Sequence, residues 1–117
     1  MDAALERLMH ATLFEVFSER DPVARRDAIE RTYTEDVVFA DPDGEVQGRE
    51  ALHVKVGQLL EGANGFVFTA DGPVRQAQAL GYLAWTFGPA GAPVVRGADM
   101  GFVRDGKLSK VFTVLFD

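Results

Sequence analysis

Two aspartates stand at positions where a carboxyl group could take part in acid–base chemistry. Asp41 follows the short apolar run 37–40 and precedes Pro42, whose ring fixes the next φ angle as the chain turns. Asp99 lies inside the predicted strand 94–104, where aspartate is disfavoured, and glycines at 97 and 101 leave open space around it. Burial raises the pKa of a carboxyl group. Two such groups in one pocket would raise each other's pKa or share a proton, which suits proton transfer next to a carbonyl group.

Each aspartate also has a purely structural interpretation. An aspartate before Pro-Asp-Gly commonly accepts hydrogen bonds from the backbone of its own turn, so Asp41 could serve only to hold the turn 41–44. Asp99 could instead face outward, as a solvated charge or as the partner of an arginine on a neighbouring strand. The residues alone leave both interpretations open.

The sequence gives no sign of other reactive groups. The chain has no cysteine, which excludes a disulfide framework and thiolate chemistry. His10 and His53 stand alone and the acidic segment 41–45 lacks the spacing of a calcium loop, so we expect no metal and no cofactor. Ser18 and Ser109 have no histidine neighbour in sequence, and a nucleophilic triad is not indicated.

Composition predicts one soluble globular domain over residues 1–117. Hydrophobic residues make up 47% of the chain and charged residues 26%. The net charge of −6 argues against nucleic acid or an anionic membrane as a partner, because both attract basic surfaces. The first residues lack the basic start and apolar centre of a signal peptide, and we expect a cytoplasmic protein.

Apolar residues at steps of three and four predict helices at residues 2–19, 23–33 and 49–62. Asp2 is the expected N-cap of the first helix, and Asp21 caps the second with Pro22 in its first turn. Gly62 is the expected C-cap of the third helix.

Polar residues on these helices are expected to face solvent. On the second helix this side includes Arg25 and Arg26, and on the third helix it includes His53 and Lys55.

The remaining chain predicts strands at residues 37–40, 65–70, 73–77, 80–87, 94–104 and 107–116. The pairs Asp71-Gly72 and Asp105-Gly106 are strong hairpin-turn signals. Helices followed by antiparallel strands are typical of the α+β class.

The last predicted strand is apolar on both faces over residues 111–116. An antiparallel sheet with one solvated face would alternate apolar and polar residues. The helices can cover one face, and we predict that a second copy of the chain covers the outer face in a homodimer. The N-terminal helix is the alternative cover.

Several of these segments together resemble the nuclear transport factor 2-like superfamily, which includes ketosteroid isomerases, SnoaL-like polyketide cyclases and limonene epoxide hydrolases. The resemblance spans essentially the whole chain. It is carried by the three helices, the Asp-Pro-x-Gly turn at 41–44, the Gly-x-x-Ala-Leu helix start at 48–52 and the Asp-Gly-Lys hairpin at 105–107. It implies an α+β fold in which a strongly curved, mostly antiparallel sheet wraps around the helices as a cone with an apolar pocket.

The resemblance to ketosteroid isomerase extends to the two aspartates. Asp41, followed by Pro42 and Gly44, matches the motif of that enzyme's general base. Asp99 matches its oxyanion-hole aspartic acid, which an apolar site keeps protonated. The resemblance therefore favours the pocket interpretation of Asp99.

One catalytic residue of ketosteroid isomerase has no counterpart in this chain. The family enzyme has a tyrosine on its first helix, where this chain has Leu13 or Phe14. Loss of that hydrogen-bond donor would remove roughly 3–4 kcal/mol of transition-state stabilisation. Tyr33 or Tyr82 would have to replace it.

The implied pocket would take a small apolar molecule. Helices and strands are both expected to contribute to its lining, through Leu13, Phe14, Phe17, Tyr33, Phe39, Val56, Leu60, Tyr82 and Trp85.

Three functions remain open. The first is an acid–base enzyme acting on an apolar carbonyl compound or epoxide, with Asp41 as base and Asp99 as protonated donor or second acid. Isomerase or cyclase chemistry is favoured over epoxide hydrolysis, because Arg96 falls on the opposite strand face from Asp99. The second is a non-catalytic binding module, and the third is an association domain whose pocket is filled by side chains.

Overall fold

The structure is a computed structural model that describes residues 2–116. Over these residues the chain forms three helices followed by most of a seven-stranded sheet, which confirms the predicted α+β class. The helices are α1 (Ala3–Ala11), which continues as a π-helical turn (Thr12–Val16), α2 (Pro22–Thr32) and α3 (Arg49–Glu61).

The sheet is curved and open. Its strands are β1 (Tyr33–Asp41), β2 (Gly44–Gln47), β3 (Phe66–Ala70), β4 (Arg75–Ala77), β5 (Leu80–Pro89), β6 (Val95–Arg104) and β7 (Lys107–Phe116). They lie in the order β2-β1-β7-β6-β5-β3, with β4 paired to β5 outside this path. The β1–β7 pairing is parallel and the others are antiparallel, so the sheet is mostly antiparallel as predicted.

Helix α1 lies close against the sheet because two paired strand positions carry no side chain. Gly81 on β5 is the register partner of Gly101 on β6. A Cβ atom at Gly81 would lie 2.7 Å from Met9 Cγ, and one at Gly101 would lie 2.8 Å from Met9 Sδ. Met9 is completely buried there, and it anchors α1 to the concave side of the sheet.

The N-terminal helix differs in part from the prediction. Asp2 caps it as expected, its side chain accepting a hydrogen bond from the Ala4 N–H. The predicted regular helix over 2–19 is wrong beyond Ala11, where the chain changes to π-helical geometry up to Val16. The π-helical segment is only five residues long, which is too short for its apolar spacing to be told apart from that of an α-helix.

Helices α2 and α3 contact each other through a buried polar pair that was expected to be exposed. Arg25 Nε donates to His53 Nδ1 at 3.3 Å, and Arg25 Nη1 donates to the Glu19 carbonyl oxygen at 2.7 Å. Gly57 makes room, since a Cβ atom there would lie 3.0 Å from Arg25 Nη2. The solvent-facing prediction is therefore wrong for both Arg25 and His53, which are 5% and 6% exposed.

The first strand is longer than predicted and has an unpredicted partner. β1 begins directly at Tyr33, and β2 folds back on it after the turn at residues 41–44. The polar run Thr34, Glu35 and Asp36 hid the start of β1, because those residues interrupt the apolar pattern on which the prediction rested.

The two faces of β7 have different surroundings. Val111 and Thr113 point inward, whereas Phe112, Val114 and Phe116 point outward with 38–44% of their surface exposed. The N-terminal helix packs on the concave side and leaves the outer face bare. No helix within residues 2–116 is long and apolar enough to cross a membrane.

Candidate functional site

An apolar cavity of about 350 Å³ lies between the end of α1, the end of α3 and the concave face of the sheet. This volume falls within the range of roughly 300–1,000 Å³ that is typical of small-molecule pockets. Much of its wall consists of aromatic rings, contributed by Phe17, Phe39, Phe66, Phe68, Trp85 and Phe87.

The π-helical turn presents α1 to this cavity. Leu13 and Phe17 line it, whereas Phe14 lies outside with 43% of its surface exposed. Ser18 Oγ donates to the Leu13 carbonyl oxygen at 2.7 Å, which holds the wider turn closed. Insertions of π geometry in helices occur frequently at functional sites. The sequence left open which of Leu13 and Phe14 faces the pocket, and the structure places Leu13 there.

Asp99 is the buried polar group of the cavity wall, with 5% of its surface exposed. Its two carboxyl oxygens differ. Oδ1 accepts a hydrogen bond from Trp85 Nε1 at 3.0 Å and another from Thr113 Oγ1 at 2.7 Å. Oδ2 has no donor within residues 2–116, and no fully buried side-chain oxygen in that range lacks a partner. Oδ2 must therefore retain accessible surface, which for this residue is the cavity.

Burial raises the pKa of Asp99 to about 6, against the opposing hydrogen bonds from Thr113 and Trp85. Desolvation is the main cause of this shift, because burial disfavours the charged form of a carboxyl group.

A glycine opposite Trp85 allows the indole to reach Asp99. Gly97 is the register partner of Trp85 on β6. A Cβ atom at Gly97 would lie 2.9 Å from Trp85 Cζ2 and 2.5 Å from the Val114 carbonyl oxygen. The indole therefore packs across the bare Gly97 backbone while its N–H points at Asp99.

Asp41 also lines the cavity, together with Pro42 and Asp43, but both of its carboxyl oxygens are engaged. Oδ1 accepts hydrogen bonds from the backbone N–H groups of Asp43 at 2.9 Å and Gly44 at 3.2 Å. Oδ2 lies 3.2 Å from Nζ of Lys55 on α3, in an ion pair that is about one-fifth exposed. Asp41 therefore holds the turn and ties it to α3, which is the structural interpretation of this residue.

Tyr33 lies behind the cavity wall. It is fully buried, and its hydroxyl is hydrogen-bonded to the hydroxyl of Thr12 on the π turn. Burial raises the pKa of the Tyr33 phenol well above its ordinary value, and the nearby charge of Asp99 raises it further. Tyr33 does not line the cavity, so its hydroxyl is not presented to a ligand.

Three further residues that were predicted to line the pocket also lie elsewhere. Val56 is completely buried in the core, and Leu60 contacts a separate surface groove beside Phe14. Tyr82 alternates with the buried Leu83 and lies on the outer face of β5. Leu13, Phe17, Phe39 and Trp85 do line the cavity together with both aspartates.

Sequence reasoning missed Thr113, Lys55 and Asp43. Thr113 occupies the inward face of β7, and its register position opposite Asp99 is the signal that would have found it. The helical pattern predicts that Lys55 faces solvent, but its side chain is only 23% exposed, because the fold of the turn brings Asp41 to it. Within residues 2–116, no group of three or more His, Asp or Glu side chains could hold a metal ion.

The curved open sheet, the helices within it and the cavity between them form the fold of nuclear transport factor 2-like proteins. A family model of the SnoaL-like domain matches residues 11–111. The chain therefore belongs to the SnoaL-like family, as the sequence resemblance implied. A comparison with curated proteins finds no match.

Solved structures share the fold at low sequence identity. A candidate isomerase of the SnoaL-like family from Agrobacterium tumefaciens str. C58 is 18% identical, with a TM-score of 0.91 over 99% of this chain and 100% of that chain. A protein of unknown function with a cystatin-like fold from Methylobium petroleophilum PM1 is also 18% identical, with a TM-score of 0.77 over 100% and 78%. A candidate SnoaL-like polyketide cyclase from Jannaschia sp. CCS1 is 16% identical, with a TM-score of 0.74 over 98% and 90%. These similarities establish the fold alone.

Proposed function

We propose that this protein catalyses proton transfer next to the carbonyl group of a small apolar molecule, as an isomerase or cyclase, with Asp99 as the proton-carrying residue. The observation that supports this most directly is the arrangement of its carboxyl group. Oδ1 is held by two donors, and Oδ2 is free to meet a ligand in an apolar cavity.

The proposed reaction uses both protonation states of Asp99. The ionised Oδ2 removes a proton from a carbon beside the carbonyl, and the C–H bonding electrons pass to the carbonyl oxygen to form an enolate. The protonated carboxyl group then returns the proton to carbon, and the carbonyl re-forms. A pKa of about 6 for Asp99 suits both steps near neutral pH, because general acid–base catalysis works best when the pKa is close to the working pH.

Asp41 has a different proposed role from the base that the sequence resemblance implies. Its two oxygens already have partners in Asp43, Gly44 and Lys55, so removing a proton would require breaking these contacts. We propose that Asp41 orders the turn at the cavity and that Asp99 transfers the proton.

The test is α-proton exchange of 2-tetralone, a two-ring ketone, followed by NMR in D₂O. We expect the wild-type protein to accelerate exchange over buffer and Asp99→Asn to lose about 100-fold or more of that acceleration. Asp27→Asn, which makes the same change at an exposed site on α2, is the matched control and should retain the wild-type rate. Equal rates for wild type and Asp99→Asn would refute the proposal.

A non-catalytic binding module is the second candidate, and one observation favours it. The donors closest to the reacting site, Trp85 Nε1 and Thr113 Oγ1, are both committed to Asp99 Oδ1. Neither is free to stabilise an enolate oxygen, a contribution that is often large in carbonyl chemistry. Binding of 2-tetralone that quenches Trp85 fluorescence without any exchange would support this candidate over the enzyme.

A further inference from the structure

The ionisable side chains that line the cavity are all acidic. Asp41, Asp43 and Asp99 belong to the lining, and no lysine, arginine or histidine of the described residues does. Two cationic side chains lie near the cavity without lining it, and each already has partners within the protein. Lys55 pairs with Asp41, and Arg20 donates to the carbonyl oxygens of Leu60, Ala63 and Phe66 near the end of α3.

Aromatic rings make up much of the cavity wall. Phe68 stacks on Phe87 with ring centroids 4.1 Å apart and meets Trp85 edge-on at 5.2 Å. The rings of Phe17 and Phe39 lie 5.2 Å apart, and Lys55 Nζ lies 5.9 Å from the centroid of Phe39, so this ring already has a cation near it. The faces of aromatic rings attract cations, and aromatic cages are a common means of binding substituted ammonium groups.

A further observation concerns the oxygen of Asp99 that has no donor in the described part of the chain. This side chain is 5% exposed, and its Oδ2 lacks a hydrogen-bond donor among residues 2–116. Because Oδ2 retains accessible surface towards the cavity, water or a ligand supplies its partner there. The negative charge of Asp99 attracts an acidic C–H group, a hydrogen-bond donor or a nearby cation, whereas it repels a ligand carboxylate.

We propose that the ligand of this cavity is cationic, an apolar molecule that carries a protonated or quaternary amine. The ammonium group lies against the aromatic rings, near enough for the charge of Asp99 to attract it, and the carbon next to the carbonyl group lies against Oδ2. This inference rests on the proposed function in taking the cavity as the ligand site, and it narrows the substrate class to amine-bearing carbonyl compounds.

Three probes of similar size and different charge test the inference. They are benzyltrimethylammonium, its uncharged carbon isostere neopentylbenzene, and the anion 3-phenylpropanoate. Trp85 is the only tryptophan in the chain and lines the cavity, so its fluorescence reports binding. We expect the ammonium to bind about tenfold more tightly than its neutral isostere, because a desolvated cation–π contact and the carboxyl groups both favour it. The anion should bind more weakly than either.

Variants assign the preference to particular charges. Asp99→Asn should weaken binding of the ammonium by about tenfold and leave the neutral isostere within about twofold. Lys55→Met should strengthen ammonium binding, because Asp41 loses its intramolecular partner. Asp27→Asn is the matched control for Asp99→Asn and should change nothing.

Several results would overturn the inference. They are equal or tighter binding of the neutral isostere, tighter binding of 3-phenylpropanoate, no response to the ammonium at millimolar concentration, and an ammonium preference that survives in Asp99→Asn. Tighter binding of the anion that is lost in Lys55→Met would assign the selection to Lys55 instead.

The two proposals can fail separately. Asp99-dependent exchange of 2-tetralone without an ammonium preference would leave the proposed function standing and remove only this inference. An ammonium preference without exchange would identify a cation-binding module and remove the enzyme.

Discussion

The carboxyl group of Asp99 is oriented by two donors that both bind the same oxygen. Trp85 and Thr113 come from the strands on either side of β6, so the orientation is fixed by the sheet itself. A proton on this carboxyl group would lie on the other oxygen, since Oδ1 already accepts two hydrogen bonds. In the proposed reaction, the exchangeable proton is therefore carried by the oxygen that faces the cavity.

The raised pKa of Asp99 predicts how stability depends on pH. Its folded pKa of about 6 lies above the ordinary value of 3.8, so the folded state binds more protons between these two pH values. The contribution of Asp99 to the free energy of unfolding is therefore most favourable below about pH 4 and is lost as pH rises through 6. Asparagine does not titrate, so the Asp99→Asn variant does not lose this contribution as pH rises. We predict that the free energy of unfolding of Asp99→Asn minus that of wild type is about 2 kcal/mol larger at pH 7.5 than at pH 4.

Urea denaturation of both proteins at the two pH values measures this difference. Because Asp99→Asn is compared with wild type at each pH, the contributions of other titrating groups cancel. A stability difference that is the same at pH 4 and pH 7.5 would show that Asp99 is not desolvated.

The sequence indicated Asp99 as a candidate site residue but did not indicate which side chains donate hydrogen bonds to it. Its position in a strand beside two glycines was visible locally, as was the turn that Asp41 holds. The donors were not visible, because they depend on the register that sets Trp85 opposite Gly97 and Asp99 opposite Thr113. The same limit applies to Lys55, whose contact with Asp41 joins a helix to a distant turn.

Gly97 on β6 pairs with Trp85 on β5, and the close packing at this glycine should make it intolerant of a larger side chain. A Cβ atom there would lie 2.5 Å from a backbone oxygen of β7, which has little freedom to move, as well as 2.9 Å from the Trp85 ring. We predict that Gly97→Ala destabilises the protein by roughly 1–3 kcal/mol, the range typical of overpacked cores, and shifts the fluorescence maximum of Trp85.

Thermal or urea denaturation and the emission spectrum measure these two effects. Gly62→Ala is the control, because its added Cβ atom would lie no closer than 3.8 Å to its neighbours. Wild-type stability in Gly97→Ala would mean that the indole does not pack across this strand.

The contact between α2 and α3 predicts loss of stability in acid. Burial lowers the pKa of His53, and the positive charges of Arg25 and Arg26 lower it further, whereas Glu50 opposes the shift. The unfolded state therefore binds the imidazole proton more readily than the folded state. The contribution of His53 to stability is present above its unfolded pKa of about 6.5 and is lost as pH falls below that value.

Replacement of this histidine by glutamine tests the prediction. The amide oxygen of glutamine can accept the hydrogen bond from Arg25 Nε but does not titrate near neutral pH. We expect the free energy of unfolding of His53→Gln to fall less than that of wild type between pH 7.5 and pH 5. Parallel pH profiles for the two proteins would contradict the inferred neutral state of His53.

At the scale of the whole molecule, the outer face of the sheet carries an exposed apolar patch. Phe112, Val114 and Phe116 are exposed on β7, beside Met100 and Phe102 on β6. We propose that a second copy of the chain covers this face, because a two-fold contact would bury the same apolar patch on both copies.

Light scattering during size-exclusion chromatography measures the oligomeric state. We predict a dimer for the wild-type protein at micromolar concentration and a monomer for Val114→Lys. Val54→Lys, at a similarly exposed valine on α3, should remain a dimer. A monomeric wild-type protein would refute this arrangement, as would a Val114→Lys variant that still forms a dimer.

The fold class and most secondary-structure elements could be predicted from the sequence, whereas several strand pairings could not. Local periodicity and turn residues identified the helices and most strands, and their order indicated the α+β class. The sequence did not predict strand β2 or the parallel pairing of β1 with β7, because neither produces a local sequence pattern. Four residues, Gly44–Gln47, are too few to show alternation, and strand partners that lie far apart in sequence leave no mark in either segment.

The parallel contact of β1 with β7 also has a kinetic consequence. Tyr33 pairs with Leu108 and Ala40 with Phe112. One edge of β1 therefore forms its backbone hydrogen bonds only when β7, the last strand of the described chain, has been placed. Pairings between distant segments form slowly, because closing a long loop loses chain entropy before any contact compensates for it. The same strand supplies Thr113 to Asp99. The cavity and the orientation of its carboxyl group should therefore appear together, late in folding, and a partly folded chain should have no capacity to bind the ligand.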